Sequence, residues 1–116
     1  MTDVFPELIR CLPRADIPLP GVRAYLSQGE DHQILFMEFT ADAAVPEHAH
    51  AAQWGVVVAG RIDLVIDGVP HTFGPGDSYA IPAGVPHSAR IHAGYADVTV
   101  FAQRDRYRAR PPELSD

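Results

Sequence analysis

The chain has 116 residues, of which 47 % are apolar and 21 % charged; that is enough for one folded domain with a core and too little for two. A net charge of −6 with a pI near 5.4 argues against nucleic acid or anionic membrane as a partner. The single cysteine, Cys11, excludes an intrachain disulfide and is expected to behave as a small buried hydrophobe rather than a reactive thiol. No apolar run approaches the roughly 20 residues that span a bilayer. The first residues lack the basic and apolar regions of a signal peptide, so a cytoplasmic location is expected.

In chain order, Val4, Phe5, Leu8, Ile9 and Leu12 recur at helical spacing, which predicts a turn or two of helix packed on the rest. Pro13, Pro18 and Pro20 make residues 13–21 an extended connector. From Val22 onward the pattern is strand and turn. Gln33–Thr40 is apolar on nearly both faces, as in a central strand, and Glu38 within it requires an ion-pair partner, a polar pocket or a wet edge. Trp54–Ala59 is a second apolar strand. Ile62, Leu64 and Ile66 alternate with Arg61, Asp63 and Asp67, giving a strand with one face inward. Asp67-Gly68 predicts a two-residue hairpin turn to Val69–Phe73. Ser78–Ile81, His87–His92 and Tyr95–Phe101 complete about eight strands, the spacing of a sandwich or closed barrel. Residues 104–112, with four arginines at alternate positions before Pro111-Pro112, read as a solvated or intersubunit tail, with binding of phosphate or an acidic ligand as the alternative.

The chemistry concentrates in two stretches. His48 and His50 are one residue apart, so in an extended strand they share a face and can grip one ion. An amide, Gln53, follows three positions later. His87 comes behind a rigid turn, Pro82-Ala83-Gly84-Val85-Pro86. Gln53 is odd where the histidines are even, so a bend must lie between them if all face inward. Gln53 inward also puts Gly55 and Val57 inside, leaving Trp54, Val56 and Val58 as an apolar outer stripe. Such a stripe needs cover, from a second copy in a homodimer or from the N-terminal segment. His32, His71 and His92 lie near turns or strand ends and read as surface histidines.

These stretches resemble the two motifs of the cupin superfamily. His48, His50, Gln53 and Gly60 match the first motif, with Gln53 in the slot of a glutamate and one residue fewer before it. Gly76, Pro82, Gly84 and His87 match the second at full spacing, with Ile91 where asparagine is usual. The resemblance implies an all-β jelly-roll barrel over residues 22–102. A helical N-terminal arm (1–21) and a tail (103–116) would flank it within a single domain. It also implies a divalent transition metal (zinc, nickel, manganese or iron) on His48, His50, Gln53 and His87. Gln53 could instead bond to backbone and leave a three-histidine site. Small pectin-degradation cupins carry a similar ligand set, with an aspartate two residues before a phenylalanine and an arginine soon after. Phe101 and Arg104 could match these, but Thr99 replaces the aspartate.

A wholly neutral ligand set leaves the ion its full charge, which suits Lewis-acid work on a carbonyl-bearing or anionic molecule. The leading expectation is a metal-dependent enzyme of isomerase, lyase or hydrolase type acting on a small carboxylate or sugar acid. A non-catalytic binding or sensing barrel and a metal-dependent dioxygenase are the alternatives. Glu38 and Tyr79 are the catalytic candidates. Phe36, Ile81, Thr99 and Phe101 are candidates for ligand contact, with Arg23 and Tyr25 behind them.

Overall fold

A computed structural model describes residues 3–111; the remainder of the expected tail, from Pro112 to residue 116, lies outside the described residues. Among the described residues one short helix, α1 (Glu7–Arg10), precedes nine strands: β1 (Val22–Gln28), β2 (Gln33–Phe39), β3 (Ala43–His48), β4 (Gln53–Ala59), β5 (Ile62–Ile66), β6 (Val69–Phe73), β7 (Ser78–Ile81), β8 (His87–Ile91) and β9 (Ala96–Phe101). They form two antiparallel sheets, ordered β1-β2-β9-β4-β7 and β3-β8-β5-β6. The expected jelly-roll barrel is the fold.

The two sheets bury their inner faces against each other. Phe39, Val57, Tyr79 and Ile81 from one sheet meet Ala43, Ile62, Leu64 and Ile91 from the other. The alternation read for β5 holds: Ile62 and Leu64 are buried, with Ile66 packed beside them. The β5–β6 turn has positive φ at both Asp67 (50°) and Gly68 (79°), the conformation that matches strand twist in a tight hairpin. One strand, β3, escaped the sequence reading. Pro46 interrupts its pattern, and its pairing with β8 shifts register between Val45 and His48, as expected where a proline cannot donate to the ladder.

The N-terminal arm wraps the free edge of β1. Ahead of the helix, Phe5 is buried against Tyr25 and Phe36 on the outer face. Farther along, the Ala15 N–H donates to the Ala24 carbonyl and the Leu26 N–H to that of Pro13, which blunts an otherwise open edge. The helix is a single turn, within the expected length, but it is less buried than its pattern predicts. Leu8 is 84 % exposed. Cys11, expected to be buried, is exposed, because it sits at the C-terminal cap of a four-residue helix with no buried face.

The C-terminal stretch is not a free tail. The Asp16 N–H donates to the Arg108 carbonyl and the Arg110 N–H to that of Arg14, so residues 108–110 lie alongside the arm. Gln33, 1 % exposed, holds Tyr107 by both backbone groups: its amide donates to the carbonyl (2.8 Å), and its oxygen accepts the N–H (3.0 Å). The expectation of a solvated segment fails here because the buried amide and the arm's backbone both need partners.

The inner core carries one polar group of consequence. Asp97 is 1 % exposed; its Oδ2 accepts the Tyr95 hydroxyl (2.5 Å) and, at 3.5 Å, that of Tyr79. Its Oδ1 is buried without a hydrogen-bond partner. Tyr79 reaches this position by lying across Gly55, where an added Cβ would stand 2.5 Å from the ring. Burial pushes the Asp97 carboxyl up to about 7, outweighing the hydroxyls around it. The native state therefore holds a proton that the unfolded chain, with an ordinary value of 3.8, has released. Stability contributed by this group is full below pH 3.8, falls as pH rises and is gone above about 7. Between pH 5 and 8, urea unfolding should show the wild type losing roughly 2 kcal/mol relative to Asp97→Asn, in which the charge cannot form. A stability difference that does not change with pH would show that Asp97 is not buried in this way.

Candidate metal centre

Three histidines meet at one end of the barrel. His48 closes β3 and pairs with His87, the first residue of β8. His50 lies beyond the end of β3, in the bend at residues 49–52 that turns the chain toward β4 in the other sheet. This is the bend that the odd spacing to Gln53 requires. The His50 carbonyl accepts the Gly84 N–H (2.9 Å), which pins the Pro82–Pro86 turn against the histidine bend. Gly84 has φ of 77°, a left-handed conformation that glycine adopts without strain. The turn thus delivers His87 beside the other two.

All three rings are oriented by backbone. Nδ1 of His48, His50 and His87 faces the carbonyl oxygens of Pro46 (2.9 Å), Ala51 (2.7 Å) and Val85 (2.9 Å) respectively. A carbonyl only accepts, so each Nδ1 carries the proton and each neutral ring keeps its lone pair on Nε2. One ring nitrogen from each histidine lies within 4.8 Å of the others. Nε2 of His50 and of His87 stand 3.1 Å apart. With both unprotonated, two lone pairs face each other, a placement that needs a proton or a cation between them. Two nitrogens each about 2.0–2.1 Å from one tetrahedral ion lie about 3.3 Å apart, so the donors fit a divalent metal. A second bond from Nδ1 to a carbonyl is also how metal-ligating imidazoles are usually held.

Burial holds both His50 and His87 below the ordinary imidazole range, and the positive charge of Arg106 pushes each the same way. The rings therefore stay neutral and available for ligation. The Phe101 ring meets His50 edge-on, with centroids 5.4 Å apart.

The histidines open onto a cavity of about 90 Å³ inside the barrel. Of the other residues expected at the site, Gln53, Tyr79, Ile81 and Phe101 line this cavity. Thr99 points to the same side but is fully buried and does not line the cavity. Phe36 and Glu38 are corrections. Both face away from the cavity, because Leu35, Met37 and Phe39 take the inner side of β2. Phe36 packs on Phe5 instead. Glu38 lies on the outer side with its partners, the Tyr25 hydroxyl at 3.4 Å and Arg23 at 3.9 Å, so the two weaker pocket candidates are outside as well. His92 bonds to Asp63 at 2.7 Å, while His32 and His71 are exposed.

Among the further lining residues, Asp97, Arg106 and Tyr107 bring polar groups that were not expected at the site. Parity along β9 could have found Asp97, since it shares a face with Thr99 and Phe101. Arg106 and Tyr107 depend on the course of the C-terminal stretch, which no local pattern reveals.

Residues 35–102 match the family model described as the cupin domain. Among solved structures, an RmlC-like cupin from Shewanella frigidimarina is 24 % identical, with a TM-score of 0.73 over 84 % of this chain and 88 % of the other. KdgF from a Halomonas species is 22 % identical, with a TM-score of 0.67 over 78 % of this chain and 87 % of the other. Oxalate decarboxylase from Bacillus subtilis is 21 % identical, with a TM-score of 0.68; the match covers 83 % of this chain but 28 % of that enzyme. Comparison with curated proteins finds no sequence match. At these identities the solved structures speak for the fold alone, whereas the domain match extends over more than half of the chain and includes all three histidines. This protein therefore belongs to the cupin domain family.

Proposed function

We propose that the chain is a cytoplasmic metal-dependent enzyme, of isomerase, lyase or hydrolase type, acting on a small carboxylate or sugar acid. The observation that carries the reading is the convergence of three backbone-oriented imidazoles on one point. His48, His50 and His87 would hold a divalent transition metal (zinc, nickel, manganese or iron), with Gln53 as the fourth ligand from the start of β4. Such an ion supplies Lewis-acid polarisation of a bound oxygen. The chain's own residues supply the enclosure. Ile81 and Phe101 exclude water beside the histidines, and Phe101 limits the room around His50. The Tyr79 hydroxyl, held protonated by burial, and Asp97 can hold a proton at the inner wall.

A second reading, a binding barrel without turnover, draws on a different observation. Asp97, the one carboxyl lining the cavity among the described residues, lies four residues along β9 from Phe101, about 13 Å at strand rise. Most of the intervening wall is aliphatic. A molecule confined to the mouth would then meet metal and apolar side chains but no nearby general base.

Both readings require the ion. Protein purified without added metal should contain one equivalent of a divalent transition metal by elemental analysis, and the double variant His48→Ala/His50→Ala should contain less than about a tenth of that. Unchanged metal content in the folded double variant would remove the site.

We also propose that the chain forms a homodimer through the outer face of β4. Trp54 and Val58 are 45 % and 41 % exposed there, while the arm covers Phe36 and Val98 on the neighbouring strands. Light scattering should give a dimer for the wild type and a monomer for Val56→Glu/Val58→Glu. A dimer that persists in the double variant would place the interface elsewhere.

A further inference from the structure

The C-terminal stretch places a cation where the proposed metal site opens. Arg106 lines the same cavity as the three histidines. Its guanidinium lies over the Tyr107 ring (4.5 Å to the centroid) and the Phe101 ring (5.7 Å), so its plane is held by two aromatic faces. Its Nε is buried with no hydrogen-bond partner among the described residues. The chain as a whole is acidic, at −6, yet among the described residues the only carboxyl lining this cavity is Asp97 at the inner wall. A fixed, partly desolvated guanidinium without a matching acid is a group prepared for an anion from outside.

The support beneath it is rigid. Gln33 holds both backbone groups of Tyr107, the residue next to Arg106, and its amide also donates to Gln28 (2.8 Å). Gln28 in turn donates to the Arg104 carbonyl (2.8 Å). The segment from Arg104 to Tyr107 is thus anchored on both sides of Arg106 before any ligand arrives, which lowers the ordering cost of binding. A planar guanidinium pairs with a carboxylate through two parallel hydrogen bonds, a geometry an ammonium does not reproduce.

We propose that Arg106, fixed by this Gln33-anchored strap, is the anion-recognising residue of the pocket, and that its ligand is a small 2-hydroxy or 2-oxo carboxylate. The carboxylate would rest on the guanidinium while the neighbouring oxygen faces the histidines. This specificity assignment rests on the metal reading above. A cavity of about 90 Å³ restricts the enclosed part of such a ligand to a few heavy atoms.

The test uses the cobalt(II)-loaded protein, whose visible absorption reports both metal occupancy and ligand binding. Glycolate and its neutral amide, glycolamide, serve as probes. The wild type should bind glycolate at least about tenfold more tightly than glycolamide. Arg106→Met should retain stoichiometric cobalt, weaken glycolate by at least about tenfold and lose the preference over the amide. Arg106→Lys should recover part of it. Equal binding of the two probes by the wild type, binding of neither, or unchanged glycolate affinity in cobalt-loaded Arg106→Met would each overturn the assignment. If the wild type takes up no cobalt, the metal reading fails instead. Arg106 is then tested by the Nε–H resonance of its guanidinium in metal-free protein. A shift with glycolate and none with glycolamide supports the anion site, and no shift with either overturns it.

Discussion

Three hydrogen bonds between imidazole Nδ1 and backbone carbonyls decide what this molecule can do. Each costs little, and any one alone would be an ordinary way to satisfy a histidine. Together they turn three lone pairs inward, all within 4.8 Å of one another, and bring those of His50 and His87 too close for neutral rings to tolerate without something positive between them. Much of the surrounding architecture serves that orientation. The bulge at Pro46 and Glu47 brings His48 level with His87, the bend at residues 49–52 carries His50 across the gap between the sheets, and Gly84 lets the opposing turn close onto it. The site therefore lies where β3 and β8 end in one sheet and the chain crosses toward β4 in the other.

Away from this seam the barrel interior becomes apolar and then, at the far wall, polar again. Gly55 gives up its side chain so that the Tyr79 ring can cross it, and Tyr79 and Tyr95 then enclose the Asp97 carboxyl. A carboxyl buried this deeply is kept near neutral rather than ionised at low pH. The cavity is bounded at one end by donors that want a cation and at the other by an acid that resists becoming an anion. The strap across the opening adds a guanidinium to the first end. In the proposed function, a ligand drawn to the metal end would be selected for negative charge before its shape is tested.

Much of this was legible in the residues, for identifiable reasons. Strands with one wet face declare their direction, so Ile62 and Leu64 inside followed from alternation, whereas Trp54 and Val58 outside followed from the inward placement of Gln53. The odd step from His50 to Gln53 required a bend, and the bend is there. Where a strand is apolar on both faces, parity carries no signal. That is why Phe36 and Glu38 on β2 were placed inward, when Leu35, Met37 and Phe39 occupy that side. The strand before His48 was hidden by its own proline. Cys11 depended on how a four-residue helix docks, and Arg106 on a buried glutamine 73 residues earlier that fastens its neighbour. Such long-range contacts leave no periodicity in the chain.

The central claim is that His48, His50 and His87 present three Nε2 donors to one metal ion. X-ray absorption at the edge of the metal in the purified protein tests it most directly, because the outer-shell pattern of imidazole rings counts the histidines bound. The account predicts three imidazoles per ion at about 2.0–2.1 Å for zinc, falling to one or none in the absence of His48 and His50. A spectrum with no more than one imidazole per ion in the intact protein, or protein that binds no metal at all, would contradict it.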